Sequence, residues 1–328
     1  MSAQRSSWRR DARSFPVALP AARTMEVRAA DGTRLHTQVF GPPGGYPIVL
    51  AHGITCAIPV WAHQIADLAG DFRVIAYDHR GHGRSGLPKR GGYSLTHLAS
   101  DLDSVLESTL APGERAVIAG HSMGGIAISA WSDRYRHRVA QRADGVALIN
   151  TTIGNLLAEV QLFRVPPPLQ AARVQAARQM LIAFGSVPIV GPAHVAVRQF
   201  VQMLAVGDDA EPAVAKLICD LFAKTPATSR GHWVRVLIDS LGPSSYIDLE
   251  GLTVPTVVIG SSHDRLLPLV AARRIADTAP HLAKFVEISG GHCSILEHPE
   301  TVNRHLRGLV ELATGTPHGL VSEREISS

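Results

Sequence analysis

The 328-residue chain is poor in several features that would place it at once. It has only 3 cysteines, Cys56, Cys219 and Cys293, odd in number and far apart. That excludes a disulfide framework and supplies no zinc-ligand spacing, and it fits a reducing compartment. No apolar run reaches the length of a membrane span, so stable membrane insertion is not expected. Excess charge is scarce as well: the formal net charge is +4, and Arg5, Arg9, Arg10, Arg13 and Arg23 crowd the surplus into the first 23 residues. The body is close to neutral and lacks the basic stripe of a nucleic-acid partner. No internal repeat is visible. A continuous export signal is missing too, because Pro16 and Pro20 interrupt the apolar patch after the first arginines. Residues 1–23 therefore read as a disordered lead. The expected location is cytoplasmic, with export or membrane association as the alternatives. The oligomeric state is not readable.

What is present is the alternation of a globular α/β protein. Apolar residues make up 45% of the chain, and its length suffices for one large domain or a domain with an insertion. "TMEVRAA" and "TRLHTQVF" flank an Asp-Gly turn, which predicts an opening hairpin. "YPIVLAHG", "FRVIAYDHRG", "RAVIAGHS" and "DGVALINTT" follow, each with a core too continuous for a sheet wet on one face. They predict parallel strands covered on both sides. Between them, Leu95, Leu98, Leu102, Val105 and Leu106 recur at helical spacing, with Ser94 as the N-cap and Tyr93 and Leu98 placed as a staple. The rhythm breaks near residue 152, and from Ile153 to Ser245 the chain is helical in flavour, as expected of an inserted cap. "TVPTVVIGSS" and "KFVEISGG" restore the strands, with a helix between them. Pro299 suits the first turn of a last helix whose apolar face is Val302, Leu306, Leu309 and Val310. The expected division is a core over 24–152 and 246–312, a helical cap over 153–245, and a flexible tail over 313–328.

The segment "GHSMGG" asks why a lone serine stands among glycines between a strand and a helix. A strand that turns at once into a helix must bend sharply. Gly120, Ser122 and Gly124 fit the Gly-x-Ser-x-Gly elbow that does this and leaves the hydroxyl exposed at the carboxyl edge of the sheet. A serine hydroxyl needs a base to act as a nucleophile at neutral pH. His292 lies just after the last strand, and Asp264 follows "TVVIG", so both fall on the same edge as Ser122. Alone, either would pass for a capping or turn residue. Together, in the order Ser, Asp, His, they make a nucleophile, an acid and a base. Asp78 reads as a loop-shaping residue, Asp239 as solvated, His121 as packing, and His52, His79 and His82 as structural loop residues. Cys293, beside the base, reads as an inert neighbour, with thiol sensitivity as the alternative. The oxyanion of acyl transfer needs fixed donors, expected from the backbone N–H groups of Met123 and Ile54.

"AHGIT", "YDHRGHGRSG", "GHSMGG", "GSSHDRLLP" and "GGHCSILEHPE" together resemble the α/β-hydrolase superfamily, in its capped, esterase and lipase-like branch. The resemblance implies an eight-stranded, mostly parallel sheet flanked by helices, with a helical cap over the pocket. It implies Ser122 as nucleophile, Asp264 as acid, His292 as base, and Ile54 and Met123 as oxyanion donors, with no metal or cofactor. One departure is the absence of an "HGGG" loop, which argues against the branch that carries it. The expected activity is hydrolysis of a small-molecule carboxylic ester with an apolar acyl group, because the cap is rich in Leu, Val, Ala, Phe and Met. Other chemistry by the same serine remains open: carbon–carbon bond, thioester or lactone hydrolysis, perhydrolysis, or acyl transfer. So does a ligand receptor without catalysis. Dehalogenase and epoxide-hydrolase chemistry is disfavoured, because those enzymes place Asp where this chain has Ser122.

Overall fold

The computed structural model describes residues 17–160, 166–186, 193–243 and 245–316. Most of the expected lead and most of the expected tail lie outside the described residues. Eight strands form one sheet: β1 (Ala22–Arg28), β2 (Arg34–Phe40), β3 (Pro47–Ala51), β4 (Arg73–Tyr77), β5 (Ala116–His121), β6 (Ala143–Ile149), β7 (Thr256–Ser261) and β8 (Leu282–Ile288). Their order is β1-β2-β4-β3-β5-β6-β7-β8. The β1–β2 and β2–β4 pairs are antiparallel, and every later pair is parallel. The Asp31-Gly32 turn closes the hairpin with Gly32 at φ 82°, a conformation open to glycine at little cost.

The continuous apolar runs are central strands for the reason expected of them. Every residue of β3, β5 and β7 is buried, since helices cover both faces of the sheet. One core lies under α2 (Leu95–Thr109), α3 (Met123–Arg134) and α10 (Leu269–Thr278) and holds Val49, Ile118, Leu148 and Val258. The other lies under α1 (Ala62–Leu68) and α12 (Pro299–Thr314) and holds Ile48, Leu50, Val117 and Ile259. Burying one such side chain is worth about 1.5–3 kcal/mol. Ser94 caps α2 by accepting the His97 N–H at 3.2 Å. Pro299 occupies the first turn of α12, and its expected apolar face is buried throughout. The short helix α4 (Arg136–Arg142) leads into β6.

Between β6 and β7 the chain carries helices α5 (Leu156–Glu159), α6 (Gln170–Ser186), α7 (Ala193–Ala205), α8 (Pro212–Lys224) and α9 (Ala227–Ser240). The two ends of this insertion meet. Gly154 and Tyr246 form an isolated antiparallel bridge, and the Ile247 N–H donates to the Ile153 carbonyl at 2.8 Å. Tyr93, just ahead of α2, reaches α9 through the Ser229 hydroxyl at 2.9 Å and stacks on His232 at 5.0 Å between ring centroids.

Candidate active site

In an open parallel sheet, the carboxyl ends of the strands present loops on one rim. Ser122 follows β5, Asn150 follows β6, Asp264 follows β7, and His292 follows β8 before the short helix α11 (Ser294–Glu297). The four loops are therefore neighbours in the order of their strands. The Ser122 N–H donates to Ile149 at the end of β6 at 2.9 Å, and the Asn150 N–H donates to Ile259 of β7 at 2.8 Å. The His263 N–H donates to Gly290 beyond β8 at 3.0 Å.

Ser122 stands between β5 and α3 with φ 54° and ψ −119°, a backbone conformation that costs a residue with a Cβ. The flanking glycines permit this turn. A Cβ on Gly124 would lie 2.0 Å from the Ala51 carbonyl oxygen of β3, and one on Gly120 would lie 2.4 Å from the Gly124 carbonyl carbon. Strand and helix thus approach at backbone contact. The Ser122 side chain caps no helix N–H, and it lines a cavity instead.

His292 and Asp264 form a buried pair, with His292 Nδ1 donating to Asp264 Oδ2 at 2.7 Å. The other carboxylate oxygen accepts the N–H groups of Leu266 at 2.9 Å and Leu267 at 2.8 Å. His292 Nε2 is buried and has no hydrogen-bond partner among the described residues. His121, the residue before Ser122, uses its Nε2–H to donate to the His292 carbonyl at 2.8 Å. The serine turn and the histidine loop are thereby fastened side by side. His121 does more than pack: burial, followed by repulsion from His292, pushes its pKa down to about 3, so it stays the neutral donor this bond requires.

Three contributors escaped the sequence reading. The first is His121 in this linking role. Asn150, at φ 43°, donates through Nδ2 to Asp264 Oδ2 at 3.0 Å and to Ser261 Oγ at 2.9 Å, and accepts from the Ser294 hydroxyl. Glu297 accepts the backbone N–H groups of Gly291 at 2.8 Å and Cys293 at 3.2 Å, and reaches Gly207 of the insertion at 3.3 Å. Position at a strand end was the only available signal for Asn150. Glu297 offered none beyond its place in "GGHCSILEHPE".

Of the expected oxyanion donors, Met123 follows Ser122 directly and Ile54 lines the same cavity. Among the described residues, neither the Met123 N–H nor the Ile54 N–H donates to another group. The Ile54 loop is tightly held. Thr55, at φ 60°, donates its N–H to His82 Nε2 at 3.1 Å, which places the ring proton on Nδ1 facing the Arg80 carbonyl. His52 accepts the His79 N–H at 3.0 Å, and His79 Nε2–H returns to the His52 carbonyl at 2.9 Å. Burial lowers all three imidazoles, His79 to about 3 and His82 to about 4, so each is neutral and can accept. Asp78 braces the same region through the N–H groups of Ile58 and Arg84, both at 2.8 Å. Asp239 lies on the surface, paired with Arg178 at 3.0 Å. Cys293 is buried, and burial pushes its thiol well above the ordinary value, away from the thiolate form.

A cavity of about 150 Å³ opens beside Ser122. Ile54, Thr55, Ile126, Leu266 and Leu267 line it from the sheet side. Leu181, Phe200, Leu204, Phe222, Val234 and Leu237 line it from the insertion. Thr55 and Ser122 are the only residues with polar side chains in the described wall. No group of metal-ligating side chains occurs among the described residues.

A sheet of this order, with a strained serine at the strand–helix turn of β5, is the architecture of an α/β hydrolase. The chain belongs to the family described as the alpha/beta hydrolase fold, whose model matches residues 46–299. It is 28% identical over 277 residues to a protein from Variovorax paradoxus named as a carbamate hydrolase, RutD, covering 83% of this chain and 94% of that one. It is 26% identical over 320 residues to a Mycobacterium tuberculosis protein named as an oxidoreductase, EphD, covering 90% of this chain but 51% of the relative, so it spans about half that protein's length. The enol-lactonase from Burkholderia xenovorans superposes with a TM-score of 0.68 at 26% identity, covering 87% of this chain and 99% of the lactonase.

Proposed function

We propose that the protein is a serine hydrolase that cleaves carboxylic esters with an apolar acyl group. Ser122 is the nucleophile, His292 the base and Asp264 the orienting acid. The observation that carries the reading is the Asp264–His292 pair, whose imidazole keeps Nε2 without a partner beside the strained Ser122 turn.

Asp264 fixes the proton on His292 Nδ1, which leaves Nε2 as the basic nitrogen. As Ser122 Oγ bonds to the ester carbonyl carbon, its proton passes to Nε2, and Asp264 stabilises the imidazolium. The carbonyl oxygen becomes an oxyanion, met by the N–H groups of Met123 and Ile54, which are free to donate. One such donor is worth roughly a hundred- to a thousandfold in turnover. Collapse of the intermediate breaks the bond to the alcohol oxygen, which leaves with the proton from Nε2. Water then attacks the acyl-enzyme, gives one proton to Nε2, and the released Ser122 oxygen takes it back. The helices between β6 and β7 act as a cap that excludes water from the acyl group. The similarity to a lactonase supports the reading, because a lactone is an internal ester.

A fluorophosphonate probe and a panel of nitrophenyl esters test this directly. Wild type should label covalently and turn over esters, and Ser122→Ala should do neither while keeping its fold. Unlabelled, folded wild type would instead support a ligand-binding protein.

A further inference from the structure

The cavity next to Ser122 sets a size as well as a polarity. Its volume is about 150 Å³, and the hydroxyls of Thr55 and Ser122 are the only polar side-chain groups in its described wall. An apolar cavity of that order holds a guest of about six carbons, benzene being the reference case.

Its boundary is also fastened at several points. The Thr225 hydroxyl, at the α8–α9 junction, shares its proton between the Leu221 carbonyl at 3.0 Å and the Thr55 carbonyl at 3.3 Å. Arg230 of α9 donates to the carbonyls of Thr225 at 2.7 Å and Gly185 at 3.3 Å, tying α9 to the end of α6. Tyr93 and Ser229 join α9 to the loop ahead of α2. The Cys293 N–H donates to Ala205 at 3.1 Å, and Glu297 reaches the Gly207 N–H, so the end of α7 is locked to the His292 loop. Widening the cavity would break these bonds, whereas a chain that outgrows it must pass into solvent.

We infer that the protein is selective for esters of short acyl groups, up to about six carbons or one aromatic ring, and gains nothing from longer chains. This rests on the serine-ester reading above and assigns the cavity to the acyl side. Leu204, 7% exposed on α7, forms part of its wall and is a specificity-determining residue.

The test is kcat/KM for nitrophenyl esters from two to twelve acyl carbons, with Ser122→Ala as the blank. Each methylene buried should raise kcat/KM about fourfold, and the rise should stop near six carbons. Leu204→Ala should move the break to longer chains by about two or three methylenes, since it empties that much of the wall. Leu181→Ala serves as a second enlarging variant if Leu204→Ala does not fold. A Ser122-dependent rise that continues to ten or twelve carbons, or no dependence on acyl length, overturns the size limit and leaves the ester reading intact. Absence of Ser122-dependent ester hydrolysis overturns both.

Discussion

The Ser122 turn can be tested through its backbone alone by comparing Ser122→Gly with Ser122→Ala. Both remove the hydroxyl, so neither should label or turn over substrate. They differ in how they tolerate φ 54° and ψ −119°. A conformation this sparsely populated costs a residue with a Cβ about 1–3 kcal/mol. Glycine adopts it freely but gives up about 0.5–1 kcal/mol in unfolded-chain entropy. The difference favours the glycine variant by up to about 2.5 kcal/mol, with a midpoint near about 1 kcal/mol. For a chain of 328 residues the entropy of unfolding is about 0.7 kcal/mol per kelvin, so the gap in Tm is up to about 4 °C, with a midpoint of about 2 °C. Scanning calorimetry on the two variants side by side resolves this. A glycine variant no more stable than the alanine variant would show that position 122 is not strained, and the elbow argument would fail with it.

Gly124→Ala should be destabilising by about 3 kcal/mol or more in denaturant titration, because its Cβ would lie 2.0 Å from a backbone oxygen of β3 that has no room to retreat. Asn150→Ala removes a donor from Asp264 Oδ2 and should lower kcat roughly ten- to a hundredfold with little change in KM, as expected for a hydrogen bond to a charged group; equal losses in both parameters would contradict an orienting role. The protein should also be acid-labile. His52, His79, His82 and His121 are held neutral by burial, with His79 and His121 near 3 and His82 near 4, whereas an unfolded chain protonates them near 6.5. Their folded values are depressed, so the unfolded state gains protons first and stability is lost as pH falls from 6.5 towards 4. Four extra protons on these imidazoles contribute a slope of about 5 kcal/mol per pH unit near pH 5, opposed by the buried Asp101, whose carboxyl is raised to about 6. Tryptophan fluorescence should report unfolding between about pH 4 and 5 for a protein of ordinary stability, and a native spectrum at pH 3.5 would refute the assignment.

The strands were legible because burial on both faces leaves an unbroken apolar run, as in β3, β5 and β7. Ser122 and Asp264 could be placed on one rim because each follows such a run, and His292 because it follows the last strand, β8. The β1–β2 hairpin and the Ser94 cap were equally readable, since each depends on residues adjacent in sequence. Helix α1 was not singled out, because its seven residues are too few to display a period. Asn150, His121 and Glu297 were missed for a different reason. Each acts on a partner supplied by tertiary structure, such as the His292 carbonyl, 171 residues from His121. His121, next to the serine in sequence, reads as packing when its tertiary partner is not known. It does turn from the cavity, and that orientation lets it hold the histidine loop.

The bridge between Gly154 and Tyr246 joins the two points where the chain leaves and re-enters the sheet layer. A segment whose ends already touch can be lengthened, shortened or exchanged at little entropic expense, because loop closure grows only slowly with length. The proposed reacting groups, Ser122, Asp264 and His292, all lie outside that segment. A lineage built this way can trade one roof for another, or a protein engineer can graft one, and change what the molecule accepts while the proposed proton-transfer apparatus is inherited whole.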